Sequence, residues 1–532
     1  MNWLERRLFP QSRLLNFIVI VCLSGAFSYL LTGRQIALAN WGMIDDHEMF
    51  TFLGPNLHLA PGDIWNTLLT KTEVGTLQGR FRPTYYFLKV VEAAAFGPDV
   101  HLWYLVNTIC FAVFLSSIWW TTLRFAGIWL SGALTASIAL LSMWADVWSR
   151  LGPSEIFGAA TVGVMLFAAD LVMFSAPPLL RNVGAVIVAL AAITLAGLKE
   201  TFIPLAAGGS ALVFILAVIE RRLSLVAIGV LAGVILASIG AIGFVVSKEL
   251  HAVGADYYGR GVGPGVTLLY AVLGGLDGLL RTAWLWALPL LFLQILKVVP
   301  ERPLKQWISD SRMAVGIYLF LIAMYAAQCG LYRTIFPHNS RYDFPAMLLI
   351  PITACVLACE VSCRLRDRFP QRVIDYAQLA AAVFVIFALV NANIAKPPPA
   401  LAVAVKKNIE STSAFFDEVQ RLVRAAKETP DSPIILEAHA PRAFEAVHAV
   451  PVYLQALGVR NTVSVRFHRD EQARGALYDR LQASLAGMQD ADSQGLTPLA
   501  KNLARRAAGC LSVGLYGPPD GACKPFQMSS SN

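Results

Sequence analysis

Four consecutive residues, Asp45-Asp46-His47-Glu48, set two adjacent carboxylates, an imidazole and a third carboxylate just after a long apolar run. Charge at a membrane boundary is costly unless solvated, paired or used, so Trp41–Glu48 is the first stretch in which to look for chemistry. Asp45 or Asp46 could deprotonate an acceptor hydroxyl, with His47 and Glu48 orienting it, or the two acids could hold a divalent metal. Cations suited to the complementary task recur downstream. Arg80 and Arg82 precede Tyr85-Tyr86, Lys199 precedes Glu200, and Arg333, His338, Arg341 and Tyr342 lie together in Tyr332–Pro345. Arginine offers a planar fork that matches phosphate, and such a cluster would neutralise the charge a phosphate gathers as it leaves. Glu155, ending the polar stretch Trp148–Glu155, and His338 are candidates for contacting an acceptor or a headgroup.

Positioning these residues falls to a membrane scaffold. Of 532 residues 56% are hydrophobic and 15% charged, and the mean hydropathy is +0.57, which marks a polytopic membrane protein. Runs able to span a core of about 30 Å, which takes roughly 20 helical residues, fall at 14-32, 101-123, 127-145, 156-175, 183-199, 202-219, 223-247, 280-298, 313-331, 346-363 and 373-395, eleven spans in all. With the N-terminus in the cytoplasm, the cytoplasmic pieces hold fifteen Lys/Arg against five Asp/Glu, an excess larger than the whole chain's +8. The positive-inside rule therefore accounts for the basic balance, and nucleic acid drops out as a partner. This orientation places Asp45–Glu48 and the C-terminal tail outside. A secretory signal ending near Ala39 fits less well than an uncleaved first helix, because the run exceeds the 7 to 15 residues or so of a signal core.

The first external loop, 33-100, is long enough to carry structure of its own. Pro61-Gly62-Asp63 reads as a helix start, and Ile64, Trp65, Leu68 and Leu69 recur opposite Asn66, Thr67 and Thr70, as in an interfacial helix. Tyr85 and Tyr86 suit either a headgroup-level belt or the loop's chemistry. Lys199-Glu200 suits either a neutralised turn or a ligand site. Residues 248-279 carry Lys248, His251, Asp256, Tyr257, Tyr258 and Arg260, then an apolar stretch from Val266 that is too short to span before Arg281, which points to a re-entrant or interfacial helix. Lys396–Pro399 reads as a stiff linker. Residues 400-532 alternate helices (about 403-427, 441-457, 471-486 and 497-508) with strands at Ile434–Leu436, Val463–Phe467 and Leu511–Val513, the pattern of a small α/β domain.

Other features are weaker. Cys355, Cys359 and Cys363 share a helix face and suit packing; Cys510 and Cys523 could be thiols or a disulfide. Asp170, alone in its span, suits an internal hydrogen bond better than a proton relay. CxxC, HExxH, P-loop and GxSxG patterns do not occur.

With Asp45-Asp46 opening a long external loop, a helix at 59-75, the stretch Arg80–Tyr86, and Arg341-Tyr342-Asp343-Phe344-Pro345, the chain resembles the GT-C superfamily of polyprenyl-phosphate-sugar glycosyltransferases. The last stretch is similar to an Arg-Tyr-x-x-Pro pattern before a late span in lipid-linked mannosyl- and aminoarabinosyltransferases. The likeness covers roughly 1-395 in layout. It implies a polytopic α-helical fold of about 11 transmembrane helices, followed here by the small α/β periplasmic domain. It also implies inverting transfer of a sugar from a polyprenyl-phosphate carrier to a cell-envelope acceptor at the periplasmic face of a bacterial inner membrane. The base would be Asp45 or Asp46 and the phosphate ligand Arg341, with Lys199, Arg80, Arg82 and Arg333 added on chemistry alone. The alternatives are a lipid or polysaccharide transporter or flippase, and an O-antigen polymerase or ligase using a diphosphate-linked donor.

Overall fold

The computed structural model describes residues 13–54, 57–76, 81–124, 128–251, 264–295, 312–366, 369–370, 373–374, 376–381, 383, 399–430, 434–438, 444–467, 511–514 and 524–527. Outside them lie Arg80, the loop residues Asp256, Tyr257, Tyr258 and Arg260, most of the expected span at 373-395, the helices expected at 471-486 and 497-508, and Cys510 and Cys523. Among the described residues eight helices are long and apolar enough to cross a membrane, as a polytopic membrane protein requires.

Three expected spans take a different form, and at 346-363 the apolar helix is the shorter Ala346–Ala358. The run at 127-145 becomes a twelve-residue helix, Ile128–Ala139, which at 1.5 Å per residue extends about 18 Å and falls short of a bilayer core. The chain then turns into a second short helix, Trp144–Trp148. Two hydrogen bonds hold that turn: the Trp144 indole donates to the Ile138 carbonyl (2.7 Å), and the Ser142 hydroxyl donates to Asn339 Oδ1 (2.8 Å). The re-entrant segment expected before Arg281 is absent. A single helix runs from Pro264 to Ile295, because Arg281 Nε donates to Asp277 Oδ2 one turn earlier (2.6 Å) and the neutralised pair no longer forces the chain out of the membrane.

The chain groups into two compact units: Met1–Arg34, Glu73–Phe87 and Leu105–Val405 form one, and Gln35–Thr72, Leu88–Tyr104 and Lys406–Asn532 the other. This differs from the expected break at Lys396–Pro399, since the tail belongs to the same unit as much of the first loop.

In the first unit, antiparallel helices approach closely through small residues, as membrane helices do when no aqueous hydrophobic effect drives them together. A Cβ on Gly184 would stand 2.9 Å from the Ala168 carbonyl, and one on Gly274 would stand 2.5 Å from Cys329 Cβ. Asp170 forms the internal bond foreseen for it. Arg124 grips it through Nε and Nη2, at 2.5 and 2.7 Å.

In the second unit the tail carries a parallel four-stranded sheet, ordered β2-β1-β3-β4. The strands are β1 (Ile434–Ala438), β2 (Val463–Phe467), β3 (Leu511–Gly514) and β4 (Lys524–Gln527). The last of these lacks the alternation that marks a strand in sequence. Parallel neighbours need crossovers, and the Phe444–Ala456 helix lies between β1 and β2. The loop helix is Ile64–Lys71, and its buried side is Thr67 and Leu68 while Trp65 and Leu69 are exposed. Its apolar residues are thus split between the unit and the outside.

Candidate active site

In the first unit, five separate segments meet at one end of the helix bundle: 81–82, 146–155, 199–202, 328–332 and 341–344. Glu155 opens the Glu155–Phe174 helix directly after Pro153 and Ser154. Lys199 stands just past the end of the Pro178–Leu198 helix in an extended conformation that reverses the chain. A carboxylate at a helix N-terminus and a cation at a C-terminus both complement the helix dipole. These two form a buried ion pair, each side chain 2% exposed. Lys199 Nζ also lies over the ring of Tyr342 at 4.9 Å and of Tyr332 at 5.7 Å. Lys199-Glu200 is therefore not a self-neutralised turn. Glu200 turns elsewhere, accepting the Phe81 backbone N–H at Oε1 (2.6 Å) with Arg82 Nε 3.8 Å from Oε2.

Arg341 begins a single 3-10 turn whose start is closed by a capping box between Ser340 and Asp343. Its backbone N–H donates to Asp146 Oδ2 (3.3 Å), its guanidinium lies 5.5 Å from the centre of the Tyr342 ring, and its charge acts on Glu155 together with that of Lys199. Burial raises the pKa of Asp343, against backbone donors from His338, Asn339 and Ser340. Gln328 pins this loop to the Arg312–Tyr332 helix: Nε2 donates to the carbonyls of Tyr342 (2.7 Å) and Phe344 (3.1 Å), and Oε1 accepts the Ala346 N–H (2.8 Å). Beneath, Phe344 packs on Trp144 and Phe202 with ring centres 5.4 and 5.3 Å apart. Tyr85 and Tyr86 are buried rather than set in a headgroup belt; the Tyr85 hydroxyl donates to the Gly152 carbonyl (2.7 Å). Arg333 Nε donates to Thr267 Oγ1 (3.3 Å), and the exposed His338 ring contacts Thr334 Oγ1 (3.0 Å).

No family model matches the chain, and no curated protein or solved structure matches it. The site is therefore read from its own residues.

The first-loop acids belong to the second unit. Asp45 is the N-cap of the Asp46–Phe52 helix, in the left-handed region at φ 65°, a conformation that Asp and Asn tolerate better than most residues. The two neighbouring acids differ. Asp46 is 3% exposed and its Oδ2 accepts the Gly42 N–H at 2.7 Å, whereas Asp45 is half-buried. A Cβ on Gly42 would stand 3.0 Å from that same oxygen and 3.1 Å from Thr412 Cγ2, so a larger residue there would press on the Asp46 carboxylate and the Thr412 methyl. Glu48 is half-buried, and its carbonyl accepts the Thr51 hydroxyl (2.6 Å). Among the described residues, no three His, Cys, Asp or Glu side chains gather as a metal-binding group.

His47 Nδ1 lies 3.2 Å from the Met43 carbonyl, which assigns a proton to Nδ1 and leaves Nε2 as acceptor in the neutral ring. Burial lowers its pKa, against the opposing effects of the Met43 carbonyl and Asp45. The folded chain thus binds this proton less readily than the unfolded chain. The associated stability is present above about pH 6.5 and is lost as pH falls through the lowered value. Melting followed from about pH 7.5 to 5 is expected to show falling stability, with His47→Gln flattening the slope; an unaltered slope in that variant would contradict the assignment.

Sequence reasoning passed over three groups. Lys89 and Glu92 form a buried pair at 2.9 Å with Lys89 5.4 Å from the Trp103 ring centre, and burial raises the Glu92 pKa against that lysine. Opposite charges three apart in an apolar helix were the available signal. Asp146 could have been noticed four residues before its partner Arg150 (3.2 Å), and Gln328 as a polar residue inside a span.

Proposed function

We propose that the chain is a glycosyltransferase that moves a sugar, with inversion, from a polyprenyl-phosphate carrier to an acceptor hydroxyl. It works at the periplasmic face of a bacterial inner membrane, with the N-terminus cytoplasmic. The observation that carries this reading is the gathering of Glu155, Lys199, Arg341 and Tyr342 at one end of a bundle of apolar helices. Ionisable groups are costly there and mark function, and arginine beside an aromatic ring suits a phosphate headgroup. Arg341, beside the Tyr342 ring, and Arg333, on the same loop, are the proposed ligands of the donor phosphate. In the second unit, Asp45, the half-buried N-cap of the Asp46–Phe52 helix, is the proposed base. The acceptor hydroxyl gives its proton to a carboxylate base as its oxygen bonds to the anomeric carbon. The carbon–oxygen bond to the carrier breaks, and its electron pair leaves with the phosphate.

Purified protein in liposomes, given a polyprenyl-phosphate hexose and an acceptor glycolipid, is expected to yield glycosylated acceptor and polyprenyl phosphate. Turnover of a diphosphate-linked oligosaccharide alone would make the chain a polymerase or ligase instead. A transport reading has one observation in its favour: within the Gly265–Ala287 segment, Asp277 accepts from Arg281 and from the Tyr325 hydroxyl (2.7 Å). Accumulation in sealed vesicles without covalent product would select it.

A further inference from the structure

Within the second unit, the backbone that carries the first-loop acids is held by the C-terminal segment. The Pro399–Glu428 helix supplies two bonds, Thr412 Oγ1 accepting the Asn40 N–H (3.1 Å) and the Ser413 hydroxyl donating to the Leu38 carbonyl (3.1 Å). The Phe444–Ala456 helix supplies Tyr453, whose side chain is fully buried and whose hydroxyl donates to the Gly42 carbonyl (2.7 Å). The Gly42 residue is therefore held on both sides, its N–H by Asp46 Oδ2 and its carbonyl by Tyr453 Oη. The Tyr453 ring also packs on Phe50 with centres 4.6 Å apart and on Phe415 at 5.6 Å, which seats the Asp46–Phe52 helix.

A helix of seven residues is far below the length that is stable alone in water, about 12 to 15 residues. Its N-cap, Asp45, sits in a left-handed conformation that persists where its surroundings hold it. Local sequence therefore does not suffice to order residues 41–52, and the groups that complete the order come from some 370 to 410 positions away.

We infer that the C-terminal segment is a brace for the first external loop, with Tyr453 the positioning residue that sets the Gly42–Asp46 turn from which Asp45 projects. This gives the tail a function distinct from ligand recognition. The link to turnover, though not the brace itself, rests on the reading of Asp45 as the base.

Tyr453→Phe is the clean test, because it keeps the ring among Phe50 and Phe415 and removes only the hydroxyl. In the full-length protein, hydrogen exchange of the peptide covering 41–53 is expected to speed up by roughly three- to tenfold, the ratio that corresponds to one hydrogen bond of ordinary net strength. Exchange elsewhere in the spans should stay at the wild-type rate. Thr412→Val, which removes a different bond to the same stretch, should act in the same direction. Under the proposed activity, kcat falls in both variants while KM for the lipid donor is unchanged, a split that general destabilisation would not produce. Unchanged exchange over 41–53 in both variants overturns the brace whatever the turnover. Faster exchange with undiminished kcat upholds the brace and removes instead the catalytic assignment of Asp45.

Discussion

Under the proposed glycosyl transfer, replacing Asp45 by Asn is expected to lower the rate by about two to four powers of ten, the contribution ordinarily made by a positioned general base. Asparagine is the right substitution for a structural reason. Position 45 has φ 65°, and Asn occupies the left-handed region as readily as Asp, whereas Ala would add about 1–2 kcal/mol of backbone strain. A rate loss in Asp45→Asn therefore reports chemistry rather than a disturbed helix start. Asp46→Asn keeps an oxygen to accept the Gly42 N–H and should remain within about tenfold of wild type, while Asp46→Ala leaves that buried donor without its acceptor and should cost about 1–3 kcal/mol of stability. Initial rates with a radiolabelled lipid-linked sugar, alongside melting curves of the same preparations, separate these outcomes. A wild-type rate in Asp45→Asn would remove that residue from the mechanism.

The second large effect concerns stability. Removing either partner of the Lys199–Glu155 pair should destabilise the chain by about 3–5 kcal/mol, because a charge that is 2% exposed would be left buried without its ion-pair partner. Joint replacement, Lys199→Met with Glu155→Leu, should recover most of the loss, since a buried pair exchanged for apolar groups of similar volume is often neutral. Denaturant or thermal unfolding in detergent reads both. Arg341→Ala should behave differently, leaving stability closer to wild type and, under the proposed activity, raising KM for the phosphate-bearing donor. Single substitutions of Lys199 and Glu155 that each cost under about 1 kcal/mol would show that the pair is solvated.

Arg82, Lys199, Arg333 and Arg341 stand out in the sequence because, with the N-terminus taken as cytoplasmic, they run against the charge rule. Their counter-charges are harder to see. Glu155 lies 44 positions from Lys199, and Glu200 comes to Arg82 from a different segment of the chain, so the compensation exists only after the helices have turned and packed. The same holds for Arg124 on Asp170, where an acid isolated in its own span is neutralised by the end of another helix.

The sequence by itself determined that the chain spans a membrane many times, where most of the apolar helices begin and end, and that Asp45–Glu48, Lys199 and Arg341 fall at helix ends. These follow from hydropathy and local helix signals, which act over tens of residues. Tertiary structure alone decided the rest. It showed that Arg281 could stay within one continuous helix because Asp277 pairs with it, and that Ile128–Ala139 stops short because Ser142 and Trp144 anchor the turn. It separated Asp46, committed to Gly42, from Asp45. It also put Tyr453 on the loop that bears them. Each is a hydrogen bond or ion pair whose partner is set by packing geometry, and side-chain periodicity carries no record of which distant donor will meet which acceptor.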